Sequence, residues 1–203
     1  MSTNDKTLIR DIGMQLNCKG VSVLEAPVTG GVANVSLGKI TLFVAGKESI
    51  YSRTLPIFQA LAEEIIYLGK LGNATVAKLI TNMIAFVHEA ILAESLILGV
   101  KAGVNPHCLL NAIQKSYAGS FVANLDGPRI LSGDYDSSFA IKLALKDMSL
   151  TLELAQQLSN PLLFGTLVTE LLKNTQKQYG PDADTLMSYK IQEDEQNCAL
   201  QKK

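Results

Sequence analysis

The sequence predicts an α/β part at residues 1–70, an all-α domain at 71–193 built on one long central helix, and a polar tail at 194–203. Strands and helices alternate through the first seventy residues, and no credible strand follows. From Gly69 to Gly103, apolar residues recur at helical spacing without proline and, between Gly72 and Gly99, without glycine. These observations place a domain boundary near Gly69 to Gly72.

The α/β part begins with an amphipathic pattern and continues with three β-branched runs. Residues 4–17 predict a helix that is capped by Thr3 or Asn4. The runs at 21–28, 40–46 and 65–69 predict strands, and residues 48–64 predict a helix between the second and third strands. This order indicates a small sheet with helices attached to it.

The long helix that follows needs other helices around it. About thirty residues, at a rise of about 1.5 Å each, would span about 45 Å. Its sides are apolar nearly all round, but Lys78, His88, Glu89 and Glu94 interrupt the run, so we expect no membrane span. Further helices are predicted at 105–116, 120–131, 139–158, 160–179 and 182–192, and we expect the residues after Glu193 to fray.

Composition excludes several partner classes. The 203 residues include 18 basic and 19 acidic side chains, for a net charge of −1, which favours neither nucleic acid nor an anionic membrane as a partner. Three scattered cysteines fit a reducing compartment, and the mixed charge of the first residues does not match a leader, so we expect a cytoplasmic protein. His88 and His107 have no cluster of ligands beside them, so we expect no metal site.

A polar stripe on the long helix is the first candidate site. At 100° per residue, Lys78, Asn82 and Glu89 lie within a narrow arc of one face. In one interpretation this is a helix end at the surface, with Lys78 extended into water. In the other, Lys78 lies in a cleft where partial desolvation lowers its pKa, so that it can exchange a proton with a substrate oxygen.

A glycine turn after the first strand is the second candidate. Thr29-Gly30-Gly31 is in one interpretation only a tight turn. In the other, its backbone N–H groups and the Thr29 hydroxyl bind a carboxylate or phosphate, because glycine permits close approach.

These motifs occur together in an order that resembles the β-hydroxyacid dehydrogenase family. The segment 25–31 (EAPVTGG), the Gly69-x-x-Gly72 turn, and Lys78 with Asn82 carry the resemblance, which covers nearly all of residues 1–190. The family includes 3-hydroxyisobutyrate dehydrogenase and glyoxylate or succinic semialdehyde reductases. It implies that residues 1–70 are the remnant of a Rossmann-type sheet and that the all-α domain is similar to the C-terminal domain of 6-phosphogluconate dehydrogenase.

The resemblance also implies a role for each candidate residue. Lys78 matches the catalytic lysine, which acts as general acid in carbonyl reduction and as general base in alcohol oxidation. Asn82 matches an asparagine that orients the substrate, and Thr29, Gly30 and Gly31 match the turn that holds the substrate carboxylate. Thr3, of the Ser2-Thr3 pair, and Lys146 resemble residues that contact the cofactor, NAD or NADP. The implied substrate is a small β-hydroxy acid or its aldehyde acid.

Three departures from the family pattern bear on function. Glu25 replaces the usual aspartate, and Thr81 replaces an asparagine. The third departure is that the sequence contains no G-x-G-x-x-G turn, the usual binding site of the cofactor pyrophosphate. We therefore expect a truncated chain that does not transfer hydride alone. The alternative function is a non-catalytic interaction module, since the resemblance also implies a homodimer or a dimer with a full-length paralogue.

Overall fold

The computed structural model describes residues 3–201, which form two compact units. The first contains the described residues through Asn82 together with Ser149–Asn160, and the second contains Met83–Met148 and the chain from Pro161 onward. The predicted order, a part with strands followed by an all-helical part, is confirmed. The domain boundary near Gly69 to Gly72 stays a prediction.

The sheet of the first unit has β3 (Thr41–Gly46) at its centre. Two very short strands, β1 (Leu24–Glu25) and β2 (Val28–Thr29), pair antiparallel with β3, and β4 (Glu64–Tyr67) pairs parallel with it. The single strand predicted at 21–28 is therefore interrupted at Ala26-Pro27. Proline has no N–H to donate to a ladder, yet the Pro27 carbonyl still accepts from Phe43 N–H at 3.0 Å, which keeps the two pieces on one edge.

Three helices accompany this sheet: α1 (Lys6–Asn17), α2 (Gly31–Ser36) and α3 (Glu48–Gln59). The cap predicted for the first helix at Thr3 or Asn4 is wrong, because Oδ1 of Asp5 accepts the Leu8 N–H at 2.8 Å. The core of this unit centres on β3, whose Leu42, Val44 and Ala45 have no exposed surface. Both faces of β3 are buried, each in its own core cluster. A shift of one residue would move every side chain of β3 to the opposite face, so this packing fixes the register of the strand.

The long helix α4 runs from Asn73 to Lys101. Gly69 and Gly72 precede it with φ values of +82° and +99°, which favour glycine and make the turn from β4. By length and composition α4 could cross a membrane, but Leu92, Ala93 and Leu96 are buried within the second unit. A core helix of a folded domain has this pattern.

The second unit consists of helices packed on the second part of α4. These are α5 (Pro106–Lys115), α6 (Phe121–Ser132), α7 (Ile141–Gln157, of which residues to Met148 belong here), α8 (Leu163–Tyr179) and α9 (Met187–Gln196). Asn105 caps α5 as predicted from the sequence, accepting N–H donors at 3.0 and 3.1 Å. One core cluster surrounds Leu96, Ile130 and Tyr189, and a second surrounds Met148 and Leu172.

The chain beyond Glu193 is ordered by specific contacts, so the expected fraying is wrong for residues 194–201. Helix α9 continues to Gln196. The Leu200 side chain is fully buried, its N–H donates to Glu193 Oε1 at 2.6 Å, and Gln201 Nε2 donates to the Ile130 carbonyl at 2.8 Å. Burial of Leu200 and its hydrogen bond to the buried Glu193 carboxylate stabilise this segment despite its polar composition.

Candidate functional site

The candidate substrate turn follows β2 directly. Thr29 is half-buried and pairs with Thr41 of β3. Gly30 and Gly31 have φ values of +128° and +74°, and a Cβ on Gly31 would meet no atom within 4 Å. Asn34 Nδ2 donates to the Gly30 carbonyl at 2.8 Å and holds the turn against α2. Both glycines thus have backbone conformations that favour glycine, and the space beside Gly31 is open.

The candidate lysine and asparagine lie one turn apart on α4. Lys78 and Asn82 are both half-buried and, like Thr29, Gly30 and Gly31, belong to the first unit. Spacing of four residues puts them on one face, about 40° apart around the axis. Their position on the helix is as predicted, whereas their approach to the Thr29–Gly31 turn stays a prediction.

The two candidate cofactor residues belong to different units. Thr3 is half-buried in the first unit, and its neighbour Ser2 lies outside the described residues. Lys146 is on α7 in the second unit, with its side chain 47% exposed and its Nζ 3.2 Å from Oδ1 of the buried Asp147. A hydroxyl and an accessible ammonium are groups that can contact a cofactor.

Glu25 is a buried acid that the sequence did not single out for any role. Its Oε1 accepts the N–H groups of Gly72 at 2.5 Å and Ala74 at 3.0 Å. Its Oε2 accepts the N–H of Thr75 at 3.1 Å and the Thr75 hydroxyl at 2.6 Å. One carboxylate on β1 therefore satisfies N–H groups of the first turn of α4, which have no partner within the helix. The available signal was an acid inside an otherwise apolar strand.

A small cavity of about 240 Å³ opens beside this carboxylate. It lies in the first unit, and its described lining includes Asn4, Pro27, Phe58 and Thr75 but not Lys78. The Glu25 oxygens already accept four hydrogen bonds, so this carboxylate has little remaining capacity to bind a ligand in the cavity.

The second unit contains a separate cluster of buried polar groups. Glu89 Oε2 and the Tyr189 hydroxyl are buried and have no hydrogen-bond partner in the described chain. Burial, followed by the negative charges of Asp126 and Asp184, raises the pKa of Glu89 well above its ordinary value. Burial raises the pKa of Asp126 to about 6, opposed by Arg129. Among residues 3–201, no group of three or more His, Cys, Asp or Glu side chains could hold a metal ion.

Comparison with known proteins identifies the class. A family model for the NAD-binding of NADP-dependent 3-hydroxyisobutyrate dehydrogenase matches residues 72–191. A model for the NAD binding domain of 6-phosphogluconate dehydrogenase matches residues 1–69. The two matches meet at the turn between β4 and α4, and together they place the chain in a family of dinucleotide-dependent dehydrogenases.

Curated relatives agree with this class. The chain is 33% identical over 162 residues to 3-hydroxyisobutyrate dehydrogenase of Pseudomonas aeruginosa, covering 75% of this chain and 54% of the relative. It is 31% identical over 169 residues to the chloroplastic glyoxylate/succinic semialdehyde reductase 2 of Arabidopsis thaliana, covering 83% and 47%. The chain spans about half the length of these relatives. It belongs to the β-hydroxyacid dehydrogenase family, whose cofactors are NAD and NADP.

Solved structures show the same fold. The 3-hydroxyisobutyrate dehydrogenase from Salmonella typhimurium aligns with a TM-score of 0.83 at 24% identity, covering 94% of this chain and 67% of that one. The Mycobacterium tuberculosis 3-hydroxyisobutyrate dehydrogenase, determined with L-serine, aligns with a TM-score of 0.86 at 23% identity, covering 94% and 68%. The fold prediction is therefore confirmed by independent structures.

Proposed function

We propose that this chain supplies the substrate-binding and proton-transfer residues of an NAD(P)-dependent oxidoreductase that interconverts a small β-hydroxy acid and its aldehyde acid. The observation that carries this proposal is the half-buried pair of Lys78 and Asn82 on one face of α4, within the segment that matches the family. Thr29, Gly30 and Gly31 bind the substrate carboxylate, and Asn82 orients the substrate.

Lys78 acts as the general acid and base. When bound, NAD(P) would supply the hydride chemistry at the carbon that is reduced or oxidised, and Thr3 and Lys146 would help to hold it. In the reductive direction, the Lys78 ammonium donates a proton to the carbonyl oxygen, so that no free alkoxide accumulates. In the oxidative direction, the neutral amine removes the hydroxyl proton. The partial burial of Lys78 favours this exchange because it reduces the hydration of the charged form.

Thr3 and Lys146 fit a role in holding the cofactor, with Lys146 offering positive charge to its phosphates. The pyrophosphate turn G-x-G-x-x-G is absent from the 203 residues, so these contacts supply only part of the affinity that such a turn gives. We place the protein in the cytoplasm, where its three free cysteines would stay reduced.

Cofactor titration and a turnover assay test the proposed function. NADH and NADPH are titrated against the purified chain by fluorescence, and glyoxylate and succinic semialdehyde are then assayed as substrates. We expect any turnover to be lost in Lys78→Ala and kept in Lys101→Ala, since exposed Lys101 lies at the other end of the same helix and donates to Gln196. Absence of cofactor binding at millimolar concentration would contradict an active enzyme.

A second candidate function is a non-catalytic module that dimerises with itself or with a full-length paralogue. Exposed apolar side chains recur every seven residues on α4 at Ile84, Ile91 and Leu98, with exposures of 45%, 52% and 71%. Such a stripe is typical of a helix that packs against another helix.

Sedimentation tests this alternative. We expect the unmodified chain to sediment as a dimer, and Ile91→Lys with Leu98→Lys to sediment as a monomer with unchanged helix content. Lys101→Ala serves as the control on the same helix. A monomeric unmodified chain at tens of micromolar, with no binding to a full-length relative, would contradict the module.

A further inference from the structure

Glu25 links the two segments of the first unit that carry the candidate substrate residues. It lies on β1, four residues before Thr29 along the same sheet edge, and it is 6% exposed. Its carboxylate accepts from Gly72, Ala74 and Thr75 at the start of the helix that carries Lys78. The residues that it joins are 47 to 50 positions away in the sequence.

The charge of Glu25 is balanced by the helix itself. Within the described chain, no basic side chain forms an ion pair with this carboxylate. Its partners are backbone N–H groups at a helix N-terminus, where the aligned peptide dipoles favour a negative charge. Charge-assisted hydrogen bonds of this kind are roughly twice as strong as neutral ones.

The contact with Glu25 lies on the face of α4 that carries the candidate site. Asn82 follows Thr75 by seven residues and lies about 20° from it around the axis, and Lys78 lies about 60° from it. Lys78 is one turn beyond Thr75, at a rise of about 4.5 Å. A shift or fraying of the first turn would therefore move the Lys78 amine first.

We propose that Glu25 is a positioning residue, which fixes Lys78 relative to the substrate turn by capping α4 from the strand segment that continues into Thr29–Gly31. This inference rests on the proposed function. The cap requires a carboxylate, because the four donors need two acceptor oxygens, whereas a glutamine amide offers one oxygen and directs an NH₂ group at other donors.

Ligand binding measured by NMR on the full chain tests this inference. 3-Hydroxyisobutyrate is titrated in the presence of NADP⁺, and the amide signals of Thr29–Gly31 and Lys78 are followed. We expect Glu25→Gln to raise the Kd at least tenfold. Glu25→Asp keeps the charge but is one methylene too short to reach the same N–H groups, and it should raise the Kd at least threefold. Asn105→Ala removes the cap of α5, which carries no candidate residue, and should leave the Kd unchanged.

Amide exchange of residues 76–82 provides the second readout. It should accelerate at least tenfold in Glu25→Gln and remain unchanged in Asn105→Ala. Should Glu25→Gln fail to fold, Thr75→Val removes one donor only, and Thr75→Ser restores it; we expect about threefold weaker binding for the valine variant alone. Unchanged affinity in Glu25→Gln or Thr75→Val would overturn the positioning role and leave the proposed function intact. No binding by the unmodified chain would overturn the proposed function, and the positioning role with it.

Discussion

Thr75 donates two hydrogen bonds to one oxygen of Glu25: its N–H lies 3.1 Å and its hydroxyl 2.6 Å from Glu25 Oε2. The two residues are 50 positions apart in the sequence and both are buried. This contact ties the sheet edge of the first unit to the helix that carries Lys78. The first turn of α4 is therefore held against β1.

Replacement of Glu89 by glutamine should stabilise the protein at neutral pH. Burial and two nearby carboxylates raise the pKa of Glu89 above 4.5, so the folded state binds more protons than the unfolded state once the pH exceeds 4.5. Stability therefore falls as the pH rises above this value, until the folded carboxyl has ionised. We expect Glu89→Gln to unfold at a higher urea concentration than the unmodified chain at pH 7.5, because the glutamine has no charged form to desolvate.

The control for this experiment is Glu94→Gln, because Glu94 is exposed on the same helix. Its free energy of unfolding should change by less than about 0.5 kcal/mol. A Glu89→Gln variant that is less stable than the unmodified chain at pH 7.5 would contradict the raised pKa of Glu89.

Asp126 should contribute a second decrease in stability as the pH rises from 3.8 to about 6. Its pKa is raised from 3.8 to about 6, chiefly by burial. The unfolded carboxyl ionises first, so its contribution to stability is fully present below pH 3.8 and is lost as the pH rises to about 6. In thermal unfolding scans between pH 4 and 7, Asp126→Asn should show a smaller decrease in Tm than the unmodified chain. Equal slopes for both proteins would count against this assignment.

Gly46 should not tolerate a side chain. Its φ is +140°, and a Cβ would lie 2.8 Å from the Val23 carbonyl oxygen, which as a backbone atom cannot move aside. We expect Gly46→Ala to lower the free energy of unfolding by about 3 kcal/mol or more. Gly38→Ala, at φ +68° with nothing within 4 Å, should cost about 1 kcal/mol. Chemical denaturation of both variants measures the difference, and equal losses would show that the contact with Val23 is unimportant.

Leu200 should contribute to stability as a core residue. It is fully buried although it lies in a polar segment. Leu200→Ala should lower the free energy of unfolding by about 2–4 kcal/mol. Leu158→Ala, at 65% exposure, should change it by less than about 0.5 kcal/mol. A loss at Leu200 no larger than that at Leu158 would mean that the C-terminal segment frays in solution.

The sequence predicted helices and strands wherever local periodicity decides them. Asn105 was identified as a cap because its partners are two and three residues away. The break at Ala26-Pro27 was missed because it depends on how the strand pairs with β3. The short helix α2 was missed because six residues are too few to show a helical period.

The roles of Glu25 and Leu200 could not be read from local sequence for a related reason. Each depends on partners that the fold brings close from distant positions, such as Thr75 for Glu25 and Ile130 for the core around Leu200. For the candidate site, the residue types and their spacing were readable, whereas the cap that fixes the helix start was not.

The length of the acid at position 25 has a consequence for protein engineering. Glutamate is one methylene longer than the aspartate usual in the family, so its carboxylate reaches about 1.5 Å further from the strand toward the helix. A chimera that combined this helix with a relative's aspartate-bearing strand would leave amides at Gly72, Ala74 and Thr75 without an acceptor. Exchange of segments between family members should therefore move residues 20–31 and 69–82 as one cassette.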